Sequence, residues 1–230
     1  MAGQVGTVQY ELMKERPTAV AGNGHIVLLG DSIFDNGAYV GGGPAVIAQL
    51  RQELQGWQCT LLAVDGNVVP GVSRQLASLP SDATHLVVRA GGNDALGYAP
   101  LLQERAPSVG DALALLGKAR ERFAADYEEM VDQVEAAGLP YAVCTIYDTP
   151  PSAPGRNVIE AALCLFNDAI ARTAFSRGAA LIDLRLICSE DADYANVIEP
   201  SSEGGRKIAR AIASFTAAAN REAASIVIVR

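Results

Sequence analysis

Short apolar runs alternate with longer stretches of helical periodicity along most of this chain. His25 to Leu29 reads as a first strand, and Pro44 opens a helix through about Gln55, proline being suited to a first helical turn. A second strand is predicted at Gln58 to Val64, a short helix at Val72 to Leu79, and a third strand at Thr84 to Ala90. The stretch "GGNDALGYAPLLQERAPS" reads as a long loop. A long helix follows from Val109 to Ala137 and stops at Gly138-Leu139-Pro140. "YAVCTI" is a fourth strand, Val158 to Arg177 an amphipathic helix closed by Gly178, and "AALIDL" a fifth strand. Residues 185 to 201 read as loop, and Glu203 to Arg221 as the last helix.

This order predicts one α/β domain over residues 24–222, with a five-stranded parallel sheet covered by helices on both faces. Residues 1–23 have weak periodicity and read as an N-terminal extension. The apolar tail 223–230, with "SIVIV" at Ser225 to Val229, is fitted either to add an edge strand or to meet a second copy of the chain. In a sheet of this kind ligands bind at the C-terminal ends of the strands, which directs attention to three loops.

Composition narrows the function classes. The chain has 230 residues, half of them hydrophobic, a net charge of -8 and no run of Lys or Arg. An acidic chain without a basic face is not expected to bind nucleic acid. No stretch approaches the ~20 apolar residues of a membrane span, and the first twenty residues lack the apolar core of a signal peptide. Cys59, Cys144, Cys164 and Cys188 sit in apolar segments without metal-ligand spacing. The expectation is reduced buried thiols, a cytoplasmic setting, and neither metal nor cofactor. Gly41 to Gly43 lack a following G-K-[ST], so no phosphate loop is expected.

The three loops carry "GDSIFDN", "DGNVVPG" and "GGND". Together they suit acyl transfer: Ser32 offers a hydroxyl, and its own N–H, the Gly66 N–H and the Asn93 amide offer donors for a tetrahedral oxyanion. Asp31 is expected to brace the loop. In the order and spacing of these blocks the sequence resembles the SGNH (GDSL-type) hydrolases, and the strand-helix pattern extends the likeness over residues 25 to 221. The resemblance implies a three-layer α/β/α flavodoxin-like fold with strand order 2-1-3-4-5. It also implies metal-independent ester hydrolysis by Ser32, with Gly66 and Asn93 completing the oxyanion hole.

The family's last block is D-x-x-H, which supplies the proton acceptor and its orienting acid. Here the helix start "GGRKIA" sets the register, so Asn196 stands in the aspartate's place and Glu199 in the histidine's. Neither histidine substitutes. His25 and His85 open their strands, about 16 Å from the active edge at ~3.3 Å per residue. Glu199 is the leading candidate for the base, with Asp35, Asp191 and Asp193 as other acids. A protein that binds an ester, carbohydrate or partner on the same scaffold with weak or no turnover is the alternative.

Tyr39, Val40, Leu96, Tyr98, Leu101, Leu102, Tyr147 and Ile198 lie in the loops that would border the substrate. A small-molecule ester, acetyl or short-acyl, is the expected substrate, because no large lid segment is evident.

Overall fold

A computed structural model describes residues 23–219 and 227–228. Most of the expected extension 1–23 and of the tail 223–230 thus lies outside the described residues. The elements are β1 (His25–Gly30), α1 (Val46–Glu53), β2 (Gln58–Leu61), α2 (Val72–Leu76), β3 (His85–Arg89), α3 (Gly92–Gly97), α4 (Val109–Glu135), β4 (Tyr141–Cys144), α5 (Arg156–Ser176), β5 (Ala180–Ile182), α6 (Leu184–Ile187), α7 (Ser202–Ala219) and β6 (Val227–Ile228). Every strand pairing is parallel, in the order β2-β1-β3-β4-β5-β6. Five strands follow the expected order, and β6 adds an edge strand from the same chain, opposite Leu181 and Ile182.

The two faces of the sheet bury alternate residues of each strand, as the pleat requires. Ile26, Leu28, Val87, Cys144 and Ile182 face α1 and α7, where Val46, Leu50, Ile208 and Ile212 close the layer. Val27, Leu29, Val88, Val143 and Leu181 face α4 and α5, with Phe123, Tyr127, Phe166 and Ile170 as the large fillers. No helix among the described residues is long and apolar enough to cross a membrane.

Four local expectations need correction. β2 ends at Leu61 rather than Val64, because Leu62 N–H and Ala63 N–H both donate to the Leu28 carbonyl (2.9 Å each) and break the ladder's regular step. The stretch after β3 is not loop: it holds α3 and a 3-10 helix, Ala99–Gln103. Pieces this short carry too few turns to show a period in sequence. Part of 185–201 is likewise helical, in α6 and a 3-10 turn at Asp191–Asp193. Cys164 is exposed on α5, whereas Cys59, Cys144 and Cys188 are buried.

One glycine has a positional reason that bears on the site. Gly30 has φ +127°, and a Cβ there would overlap the Arg89 carbonyl oxygen on β3. The Gln75 side chain ties off this strand end, accepting from Gly30 N–H (2.7 Å) and donating to its carbonyl (2.8 Å). Gly30→Ala is expected to cost at least ~3 kcal/mol, or to prevent folding, as read by urea denaturation. A cost below ~1 kcal/mol would show that β1 and β3 can separate here.

Candidate active site

Directly after β1 the chain turns sharply: Phe34 N–H and Asp35 N–H both donate to the Asp31 carbonyl at 3.2 Å. The turn leaves Ser32 at the C-terminal edge, facing a cavity of about 220 Å³. Asp31 is wholly buried and pairs with the guanidinium of Arg89, the last residue of β3. Its other oxygen accepts from Ile33 N–H (3.2 Å), and its own N–H donates to the Arg89 carbonyl (3.2 Å). Asp31 therefore braces the turn, as expected. Burial pushes its carboxyl above the usual range against the pull of Arg89, while Asp31 keeps the buried guanidinium charged.

Ser32 Oγ–H donates to Glu199 Oε1 at 2.8 Å across 167 positions of sequence. Glu199 is 4% exposed, and its second oxygen, Oε2, is buried without a hydrogen-bond partner among the described residues. Burial pushes its carboxyl up from 4.5 to about 7, opposed by the Ser32 hydrogen bond and by the positive charge of Arg89.

The loop that carries Glu199 is shaped by its own residues. Asn196 Oδ1 accepts from the N–H of Ile198 (2.9 Å) and of Glu199 (3.0 Å), an Asx-type turn. Ala195 N–H donates to the Glu199 carbonyl at 2.8 Å, and Tyr194 bridges to Pro200. Asn36 joins this loop to the serine turn: its Nδ2 donates to the Pro200 carbonyl (3.4 Å) and its Oδ1 accepts from Val46 N–H at the start of α1 (2.9 Å). The three other candidate acids are engaged elsewhere. Asp35 accepts from Asp65 N–H, Asp191 from the Ser152 N–H and hydroxyl, and Asp193 from Ser189 N–H, Glu190 N–H and Lys207.

Asn93 lines the cavity beside Ser32. Its Nδ2 donates to the Asn67 carbonyl (2.8 Å), and Asp94 next to it accepts from Val69 N–H (3.0 Å). "GGND" thus also holds the loop after β2. Gly66 sits in that loop's turn at φ +76°, outside the cavity wall. Leu96, Tyr98, Leu102, Tyr147 and Ile198 line the cavity, and Tyr147 OH donates to the Ile198 carbonyl (2.8 Å). Tyr39, Val40 and Leu101 do not line it. Tyr39 OH instead donates to Asp65 Oδ2 at 2.7 Å, and Leu101 packs against the helical layer. His25 bonds to Asp82 and Thr60, and His85 lies between Trp57 and Phe215, both away from Ser32. Sequence reasoning missed Arg89, Asp148 and Thr149, all in the cavity wall. For Arg89 there was a signal: it is the one charge closing the otherwise apolar run "LVVR".

Comparison with known proteins is consistent with this geometry. Residues 28–207 match the GDSL-like Lipase/Acylhydrolase family model. No curated protein sequence matches the chain. Among solved structures, an extracellular lipase from Streptomyces rimosus aligns at 21% identity and TM-score 0.59, covering 85% of this chain and 99% of its own. A phospholipase A1 from Streptomyces albidoflavus NA297 aligns at 20% identity and TM-score 0.61, covering 85% and 98%. An acetyl xylan esterase aligns at 16% identity and TM-score 0.62, covering 84% and 98%. At such identities the likeness is one of fold.

The raised Glu199 carboxyl has a consequence for stability. Its folded pKa lies above its unfolded value, so the penalty is absent below about pH 4.5, grows as the group ionises, and is complete above about pH 7. Glu199→Gln, which keeps the shape and an acceptor for Ser32, is expected to stabilise the fold above pH 7 by on the order of 2–3 kcal/mol, with the gain vanishing near pH 4. Denaturant unfolding of both proteins at pH 4 and pH 8 measures it. An equal gain at the two pH values would show that the carboxylate is not strained by burial.

Proposed function

The chain belongs to the GDSL-like lipase/acylhydrolase family, a family of ester hydrolases, and from that premise we propose that it hydrolyses small carboxylic esters through an acyl-enzyme on Ser32, with Glu199 as the base. The observation that carries this reading is the 2.8 Å hydrogen bond from Ser32 Oγ to Glu199 Oε1. It lies within the ~2.6–3.2 Å that a general base needs. A carboxylate raised to about 7 is also far better matched to a hydroxyl proton than an ordinary glutamate.

The step runs as follows. Ser32 Oγ attacks the ester carbonyl carbon as its proton passes to Glu199 Oε1. The carbonyl electron pair becomes an oxyanion, for which the Ser32 N–H, the Asn93 amide and the Gly66 N–H are the proposed donors. When the pair returns, the bond to the alcohol oxygen breaks, and Glu199 gives its proton to that oxygen. Water then repeats the sequence: its proton goes to Glu199, its oxygen attacks the acyl carbon, and Ser32 leaves with the proton restored. No metal is called for in either half.

Acetyl and short-acyl esters are the proposed substrates. The cavity beside Ser32 measures about 220 Å³, and a cavity of ~150 Å³ accommodates benzene, so acyl groups up to roughly ring size fit. Leu96, Tyr98, Leu163 and Phe166 give it an apolar wall. One observation favours a reading with weak turnover: Gly66, the third proposed donor, lies outside the cavity wall, whereas the Asn93 amide gives only one of its two hydrogens to Asn67 and keeps the other for an oxyanion.

Two measurements test the assignment. With p-nitrophenyl acetate, Ser32→Ala is expected to lose at least ~10³-fold in kcat, and a fluorophosphonate is expected to label Ser32. Equal rates and no labelling would remove Ser32 as the nucleophile, and no turnover in either protein would replace hydrolysis by simple binding. The wild-type kcat/KM should rise tenfold per pH unit below about pH 7 and level off above it, because only ionised Glu199 accepts the proton. In Glu199→Gln that limb should vanish along with most of the rate. A limb that persists would assign the base to another group.

A further inference from the structure

A serine–histidine site creates a cation as it reacts: the imidazolium forms beside the oxyanion and offsets it. A serine–glutamate pair creates none. The proton that leaves Ser32 discharges Glu199, and the one negative charge moves from the carboxylate to the substrate oxygen. Any positive partner must therefore be present before the reaction begins, and it must be rigid.

Of the described residues that line the cavity, Arg89 alone carries a positive charge. It is 4% exposed, which is rare for an arginine and demands compensation. Asp31, the neighbour of the nucleophile, takes Nη1, and the Tyr147 ring lies 5.6 Å from the guanidinium carbon. Gly92 leaves it room, since a Cβ there would come within 2.6 Å of Nη1 and 2.9 Å of Nη2. Nε is buried with no partner among the described residues, and Glu199 Oε2, in the wall of the same cavity, is likewise unpartnered. The guanidinium is thus built into the floor of the site and is only partly neutralised.

We propose that Arg89 is a positioning residue for hydrolysis: a permanent buried cation that favours the ionised form of Glu199 in the resting site and remains in place when the negative charge passes to the oxyanion. The proposal rests on Glu199 being the base. The groups whose charge reaches Glu199 from the surrounding elements are Arg89 from β3, Asp31 from the serine turn, Asp65 from the loop after β2, Tyr147 from the loop after β4 and Tyr39 from the loop after β1. Arg89 favours the carboxylate, and Asp31 and Asp65 oppose it. The two phenols stay neutral, since burial pushes Tyr147 well up and the hydrogen bond to Asp65 pushes Tyr39 up to about 12. The ion pair therefore acts on Glu199 with two opposed signs.

Those signs provide the test. The acid limb of kcat/KM for p-nitrophenyl acetate is measured for the wild type, Arg89→Gln and Asp31→Asn, with folding checked by circular dichroism. Arg89→Gln is expected to move the limb up by about one pH unit or more, and Asp31→Asn to move it down by about half a unit. A loosened site would move both the same way, or only lower the plateau. Limbs that stay in place, or move together, overturn the role of Arg89. Should Arg89→Gln not fold, the isosteric Asp31→Asn decides alone, and an unmoved limb there overturns it. If the limb survives in Glu199→Gln, the base assignment has failed instead, which separates the two outcomes.

Discussion

Everything at the active edge depends on how closely the end of β1 meets the end of β3. Gly30 lies against the Arg89 carbonyl, the next N–H donates to that carbonyl, and the next side chain pairs with the Arg89 guanidinium. Three consecutive contacts between the same two residues' worth of chain leave the serine turn no freedom to rotate. The turn then presents Ser32 at a fixed angle to the loop of Glu199, which Asn36 ties to the same framework through Pro200. Ser32 and the Glu199 carboxylate that accepts from it are 167 positions apart in sequence and 2.8 Å apart in space.

In the proposed mechanism, a glutamate in the place of a histidine changes more than the proton affinity of the base. A buried carboxylate is costly, and the cost is what lifts its pKa into a useful range. The same burial strengthens every charge nearby, so under the proposed mechanism the Asp31–Arg89 pair is part of the electrostatics of the reaction as well as a structural device. The site holds its fixed charges from the outset, where a triad would generate one of them during turnover.

Most of the fold was legible in the sequence, because long apolar strands and long periodic helices have no other consistent reading. The strand order came from the family resemblance and not from the pattern itself, and it places "GDS" and "GGND" at one edge. Of the pieces shorter than two turns, α2 was anticipated, whereas α3 and α6 were not. In the site, the pairing of Ser32 with Glu199 could be anticipated from register against "GGRKIA", and the engagement of Asp35, Asp191 and Asp193 elsewhere could not. Tyr39 was misplaced because loop membership does not give side-chain direction. Arg89 was overlooked because a charge at the end of a strand usually points to solvent, and here the turn of Asp31 closes over it.

The Asn196 turn bears on how such a site is inherited. Its amide oxygen is used on the backbone of its own loop, not on the side chain at 199. A histidine placed at 199 would find no carboxylate there to hold its ring, and an aspartate placed at 196 alone would have no ring to hold. If Glu199 is the base as proposed, the two positions are expected to be epistatic: exchange between a histidine and a glutamate at 199 then calls for a correlated change at 196, a residue that takes no part in the chemistry itself.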